Sequence, residues 1–429
     1  MLNRPPAASN PERADSERQV ARPEEIANET TGMALHDELR AWKVLTLNPG
    51  TAALIATIRE EIRRSGPISF ARFMEHALYH PEHGYYSSGR AAPGRHGDYF
   101  TNVSVGPAFG QMFAWQFVEI WKNMGAESDF ALVVEQGAHH GDLARDFLRA
   151  LREEAPAFFA VLRYEIVEPS RRLQDRQRET LAEFHDKVAW RESVYALEPF
   201  DGVHFSNELF DALPFHLISA GGASAPPWME RCVAIDGDEF VLTEQPMADS
   251  ALLAQAAKLP LRPAGYQTEI NLAALQLMRD LSPKVRRGYV ITVDYGFSRT
   301  RFYEEERRTG TMQIRAQHRL LESPFEGIGQ SDITAHVEWT SLVEEAEAFG
   351  LALGGFTDQH HFLTGILAAF PEFAKNASPQ TRRAWQTLLH PEMLGRSFQV
   401  LALSKGMDGS PPLRGFKFAR DPRAALELR

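Results

Sequence analysis

Apolar positions along this 429-residue chain follow two different periods, and the change from one to the other marks the expected elements. Over Thr51–Arg64 the spacing is helical, with Leu54, Ile55, Ile58 and Ile62 on one stripe. Pro67 interrupts, and Phe70, Phe73, Met74, Ala77 and Leu78 mark a second helix starting after Ser69. A third helix is expected from about Pro107 to Met124. Phe130 to Glu135 is then a short apolar run that ends in a carboxylate and breaks into the turn Gln136-Gly137-Ala138-His139-His140-Gly141. After it the helical period returns, with Leu143, Phe147, Leu148 and Leu151 on one face. Strand, glycine turn and helix in that order build a crevice at the carboxyl end of a parallel strand, where nucleotide-like ligands bind. Gly137 and Gly141 lack a Cβ, so the backbone there can turn tightly against a ligand.

The alternation continues beyond that unit. Tyr164–Glu168 reads as a strand ending in an acid, followed by Pro169, Ser170 as an N-cap, and a helix carrying Leu173, Gln177, Leu181 and Phe184. Val188–Trp190 is a third strand, and Val203–Ser206 a fourth that runs into Asn207-Glu208-Leu209-Phe210-Asp211-Ala212-Leu213-Pro214. Residues 215–262 interrupt with hairpin material, including an Asp236-Gly237 turn between Val233-Ala234-Ile235 and Phe240-Val241-Leu242. A helix near 269–281 precedes a fifth strand, Tyr289–Asp294, and Leu351–Gly354 with Phe398–Leu403 suit an antiparallel edge pair. Alternating units of this kind predict an α/β fold with a doubly wound, mostly parallel sheet, an antiparallel edge strand, an N-terminal helical segment and a β-hairpin insertion. The expected division is a tail over 1–50, a helical and loop cap over 51–125, a core over 126–214 and 263–405, an insertion over 215–262, and a C-terminal tail over 406–429.

Composition narrows the function classes. A net charge of -11 and the lack of a dense Lys/Arg stripe argue against a nucleic-acid partner. No apolar run approaches the length needed to span a membrane. Cys232 is the single cysteine, expected as a buried strand residue, and its lack of a partner fits a reducing, cytoplasmic setting. Residues 1–32 mix prolines and charges with almost no large apolar side chains, and read as a disordered tail. Its acids, Glu12, Asp15, Glu17, Glu24 and Glu25, are wrong for a transit peptide despite the arginines. By contrast, the loop from His80 to Asn102 is long and rich in aromatics, the mark of a functional loop.

An acid after the second strand holds ribose hydroxyls in two cofactor classes. A dinucleotide dehydrogenase needs G-x-G-x-x-G, and here His139 and Asp142 stand where two of its glycines belong. An S-adenosylmethionine (SAM) methyltransferase has an acid at the end of strand one followed by G-x-G-x-G; Glu135, Gly137 and Gly141 fit, with His139 in the middle position. Neither His139-His140 nor His360-His361 has metal-ligand spacing, so both pairs are expected in loops and no metal is required.

Further motifs are spread over about residues 51 to 405. They are His80-Pro81 with Gly84-Tyr85-Tyr86, Gly97-Asp98-Tyr99-Phe100-Thr101, Asn207 through Pro214, Trp228-Met229-Glu230-Arg231, Asp294-Tyr295-Gly296, Gly310-Thr311-Met312-Gln313 with His318, and Asp332 through Val337. In this order and combination the chain resembles the MidA-like SAM-dependent methyltransferases, a family that includes a mitochondrial complex I assembly arginine methyltransferase. The resemblance implies a Rossmann-like methyltransferase sheet and S-adenosyl-L-methionine as cofactor. Cofactor contacts then fall to Asp98, Thr101, Glu135, Gly137, Gly141, Glu168 and Asn207, and acceptor handling to Glu208 and Asp211, with His336 a weaker candidate. The implied acceptor is an arginine side chain of a protein, whose planar guanidinium a carboxylate grips bidentately. Two departures stand out: His139 replaces a glycine, and Asn102-Val103-Ser104 stands where the family has Ser-Pro-Glu. They keep open a scaffold protein that has lost catalysis; small-molecule O- or N-methylation is a third reading.

Overall fold

The computed structural model describes residues 49–89, 101–125, 131–222, 226–317, 319–375 and 377–428. The expected tail over 1–32, the segment Gly97–Phe100 with Asp98, Phe130 and His318 lie outside the described residues.

Helices α1 (Pro49–Ser65) and α2 (Phe70–Tyr79) form where the two apolar stripes run. The Ser69 hydroxyl caps α2 by accepting from Arg72 N at 3.1 Å. Their buried faces, including Leu54, Ile58, Phe73 and Met74, pack with Phe215, Leu217 and Val233. Leu217 and Val233 belong to a small antiparallel sheet of Ile68–Ser69, His216–Ala220, Trp228–Asp236, Glu239–Gln245 and Gln267–Ile270, and Phe215 directly precedes its second strand. The expected hairpin forms, but its turn is Gly237-Asp238 rather than Asp236-Gly237, with Asp236 opposite Glu239. Cys232 is buried in its strand. The helix expected over 269–281 begins only at Leu272, because Gln267–Ile270 pairs with His216–Ser219 as a strand.

Helix α3 (Ala108–Asn123) leads into the main sheet. In chain order that sheet comprises β1 (Ala131–Gln136), β2 (Leu162–Val167), β3 (Val188–Arg191), β4 (Phe200–Asn207), β5 (Val285–Phe297), β6 (Ala352–Asp358) and β7 (Phe398–Lys405). Its order is β3-β2-β1-β4-β5-β7-β6, and Val337–Glu338 pairs beside β5 as an eighth strand. Strands β1 to β5 pair in parallel, whereas β7 runs antiparallel to both β5 and β6. The antiparallel strand therefore sits one place inside the edge.

Helices flank both faces: α4 (Asp142–Glu154), α5 (Arg171–Thr180), α6 (Leu272–Leu281), α7 (Trp339–Ala348), α8 (Gln359–Ala369) and α9 (Pro379–Leu389). Side chains alternate across a strand. Val133 and Phe205 accordingly join Phe113, Phe147 and Leu148 in one core, while Leu132 and Val134 join Met278, Trp339 and Leu342 in the other. The stripe read from Leu143, Phe147, Leu148 and Leu151 is buried in the first core. Truncating one such aromatic to alanine costs about 3–5 kcal/mol. Among the described residues, no helix is long and apolar enough to cross a membrane.

Strand register fixes the location of the chemistry. Gln136 lies opposite Val167 and Ser206, and Asn207 opposite Val293. The residues that follow, Gly137, Glu168 and Glu208, thus leave the sheet along one edge, level with Asp294 of β5. Chain order reverses between β1 and β4, the switch point at which open α/β sheets take ligands.

Candidate functional site

A cleft of about 670 Å³ opens along this edge, a size that suits a nucleoside-bearing ligand. Thr101, Glu135, Gly137, Glu168, Asn207 and Glu208 all line it. Six of the sequence-derived site residues, spread over more than a hundred positions, are therefore together.

Left-handed backbone shapes the glycine loop. Gly137 has φ +80° and Gly141 +83°, values that suit residues without a Cβ. His139 also sits in this region, at φ +47°, so the middle position keeps a glycine-like conformation while carrying a side chain. That strain costs on the order of 1 kcal/mol. Gln177 ties the loop down. Its Nε2 donates to His139 O at 2.8 Å and to Glu168 Oε2 at 3.3 Å, and its Oε1 accepts from Trp190 Nε1 at 2.9 Å. Gln177 is a site residue that sequence reasoning placed only on a helix stripe; an amide among Leu173 and Leu181 was the available signal.

Glu168 follows β2 and accepts from Ser170 N at 2.8 Å, while the Ser170 hydroxyl caps α5 as expected. Glu135 accepts from Tyr164 OH at 2.7 Å. Burial pushes both carboxyls up to about 7, and the opposing interactions come from neutral donors. Enclosed acids held this way favour a ligand that brings hydroxyl donors or positive charge. Thr101 and Ser104 bond to each other, hydroxyl to hydroxyl at 2.8 Å, and shape the wall above the loop.

At the far end of the cleft, Glu208 is partly exposed and left-handed, with φ +54°. Its carboxylate accepts from Tyr295 OH at 2.7 Å, Asn207 Nδ2 at 2.8 Å and Asn102 N at 3.4 Å. Burial lifts this carboxyl as well to about 7. Two tyrosine rings stand nearby on the cleft wall. Tyr79 donates to Ala212 O at 2.9 Å, Tyr86 donates to Asp332 Oδ1 at 2.6 Å, and their centroids are 5.6 Å apart. Tyr295, Asn102 and Tyr86 were missed as individual site residues, although motifs and a flagged loop contained them; Tyr79, the last residue of α2, lay in neither.

Three placements differ from expectation. Asp211 is buried and does not line the cleft, and its Oδ1 has no hydrogen-bond partner among the described residues. Residues 210–213 form a turn, and Asp294 Oδ2 from β5 accepts from the N–H groups of Leu209 (3.1 Å), Phe210 (2.8 Å) and Asp211 (3.3 Å) there. Gly141 is the N-cap of α4, behind the cleft wall rather than on it. His360 and His361 occupy the first turn of α8 instead of a loop, with His361 bonded to Asp358 at 2.7 Å.

Comparison with known proteins decides what this cleft belongs to. Residues 112–357 match the model of the family described as "Putative S-adenosyl-L-methionine-dependent methyltransferase". The chain belongs to that family. A protein from Burkholderia thailandensis solved bound to S-adenosyl-homocysteine is 34% identical to this methyltransferase, with TM-score 0.76 over 87% of this chain and 96% of that one. The native form of a protein from the same organism gives 33% and 0.74, over the same shares of each chain. Curated relatives include the Drosophila melanogaster "Protein arginine methyltransferase NDUFAF7 homolog, mitochondrial", 26% identical over 83% of this chain and 86% of that protein. The Homo sapiens protein arginine methyltransferase NDUFAF7 is 25% identical over 83% and 84%. The MidA-like resemblance stands, and the enzyme is a SAM-dependent methyltransferase on the expected α/β fold. The cytoplasmic expectation does not stand, since these relatives carry the label mitochondrial.

Proposed function

We propose that this methyltransferase acts on an arginine side chain of a protein, and that Glu208 holds the acceptor. The observation that carries this reading is the partly exposed Glu208 carboxylate at the end of β4, braced by Tyr295 and Asn207 beside Tyr79 and Tyr86. A planar cation fits there: the carboxylate takes two guanidinium N–H groups, and the tyrosine faces pack against it. The names of the curated relatives, protein arginine methyltransferases, support the same acceptor.

SAM supplies the electrophilic methyl group, so the chain's own work is positioning and electrostatics. Glu168 would hold the ribose hydroxyls, the 137–141 loop would lie against the methionine portion, and Glu135 would face its ammonium. Asp98 keeps the cofactor role that its motif implies. At the acceptor end, Glu208 has two tasks. Ionised, it aligns the guanidinium with one nitrogen toward the methyl donor; as the nitrogen is methylated, the proton it sheds passes to a Glu208 carboxylate oxygen. A carboxyl near 7 is matched to both. Glu75 and Tyr79 of α2 line this end of the cleft and would shape which protein segments enter.

The test is incubation with methyl-labelled SAM and arginine-bearing protein acceptors, followed by amino-acid analysis. Label in methylarginine is expected. Label recovered only in small molecules would overturn the protein-arginine reading.

A further inference from the structure

Glu208 ends a run of buried amides drawn from Gln359, Asn102 and its own neighbour Asn207, and their order has a direction. It begins at Leu388 O, in the last turn of α9, where helical carbonyls lack an intrahelical partner. A carbonyl only accepts, so it fixes which end of the Gln359 amide faces it. Gln359 Nε2 donates to Leu388 O at 3.1 Å and to Asn102 Oδ1 at 2.9 Å. With its oxygen occupied, Asn102 turns its Nδ2 to Asn207 Oδ1 at 3.2 Å. Asn207 in turn directs its Nδ2 to Glu208 Oε1 at 2.8 Å. Gln359 and Asn102 are fully buried and Asn207 nearly so, which leaves these amides little freedom to reorient.

We propose that Gln359, Asn102 and Asn207 form a one-way amide chain that positions the Glu208 carboxylate for the acceptor, with Tyr295 as its second clamp. The proposal rests on the role given to Glu208 above. Flipping any one amide would set oxygen against oxygen or N–H against N–H, so the direction fixed at Leu388 is passed to the carboxylate intact. Tyr295 closes the other side by donating to Oε2 at 2.7 Å. The chain also accounts for the left-handed φ of +54° at Glu208, a strained conformation that persists where surrounding contacts over-determine it. Glu208 N donates to Val293 O at 2.9 Å, and Asn102 N reaches Oε1 from across the cleft.

A merely structural network would hold Glu208 without tuning it. Amides do not titrate, so they donate to the carboxylate at every pH and favour its charged form. The acids Asp211, Asp294 and Asp332 face it and oppose that form, and Tyr79 and Tyr86 stand with it on the cleft wall. Removing a donor must therefore raise the pH at which Glu208 ionises.

The experiment uses full-length protein carrying ¹³C at the glutamate side-chain carboxyl, titrated by NMR, with Glu208→Gln identifying the signal. Tyr295→Phe keeps the ring and removes one donor. It is expected to raise the Glu208 midpoint by about one pH unit, a tenfold change in ionisation. Asn102→Ala and Gln359→Leu should move it the same way by less. Because they act in series, Gln359→Leu should add nothing in the Asn102→Ala background. The acid limb of the pH profile for methyl transfer should follow the same shifts. An unchanged midpoint in folded Tyr295→Phe and Gln359→Leu proteins overturns the chain, and additive shifts overturn its serial order. If Glu208→Gln retains full methyl transfer, the acceptor role of Glu208 fails, while the titration still decides whether the amides tune it.

Discussion

Replacing Glu168 with glutamine probes the cofactor half of the cleft with little change of shape. Glu168 Oε1 accepts from Ser170 N at 2.8 Å, and Oε2 accepts from Gln177 Nε2 at 3.3 Å. Glutamine keeps one acceptor for Ser170 but turns an NH₂ toward the Gln177 NH₂, so that contact is lost. More importantly, two ribose hydroxyls lose a charged acceptor. Hydrogen bonds to charged groups contribute about 1.5–3 kcal/mol against about 1 for neutral ones, so two bonds lose roughly 2–3 kcal/mol, or about 30- to 150-fold in Kd. A pH signature accompanies the loss. With the carboxyl near 7, ribose binding at pH 6 must first ionise it, and wild-type affinity for SAM should climb about tenfold from pH 6 to pH 8. Glu168→Gln should show a shallower climb. Titration calorimetry with SAM and S-adenosyl-homocysteine at three pH values checks both effects. Affinity within threefold of wild type at pH 8, or an unchanged climb, would refute this role for Glu168.

Other perturbations have defined directions. His139→Gly relieves a left-handed φ of +47° at a residue with a side chain, so the thermal midpoint should rise by the equivalent of about 1 kcal/mol, with SAM affinity equal or better. A large loss of affinity would show that the imidazole contacts the cofactor. Glu135, Glu168, Glu208 and Asp294 ionise near 7 in the folded protein because burial raises them, so between about 4.5 and 7 the folded state holds more protons than the unfolded one. Their contribution to stability is full below about 4.5 and is lost as pH rises through 7, so the ligand-free thermal midpoint should fall from pH 5 to pH 8, and saturating SAM should reduce the slope. A midpoint that rises over this window contradicts the assignment. Glu61, which paired Arg72 holds down near 2, acts only below that range.

Periodicity carried the main sheet, because buried parallel strands are short apolar runs and the helices between them show their stripes directly. The cofactor end was legible for the same reason: Glu135, Gly137 and Glu168 occupy positions defined relative to strand ends. The acceptor end was less so. Asp211 was expected to handle the acceptor from its place after β4, but it is buried off the cleft, beside a turn whose N–H groups are gathered by Asp294, more than eighty residues away in the chain. Glu269 and Ile270 looked helical because nothing local announces a strand whose partner is His216–Ser219. Gln177 and Gln359 were invisible as site residues, and Asn102 was noticed only as a departure from the family pattern, since an amide's role is set by what it faces after folding.

The central claim is that Glu208 directs the acceptor while the 137–168 region holds the cofactor. Measuring SAM affinity and methyl transfer to arginine on one preparation of Glu208→Gln tests it most directly, with thermal midpoint recorded alongside. SAM affinity within threefold of wild type and transfer reduced at least about a hundredfold, at an unchanged midpoint, is the predicted result. Transfer close to wild type would contradict it.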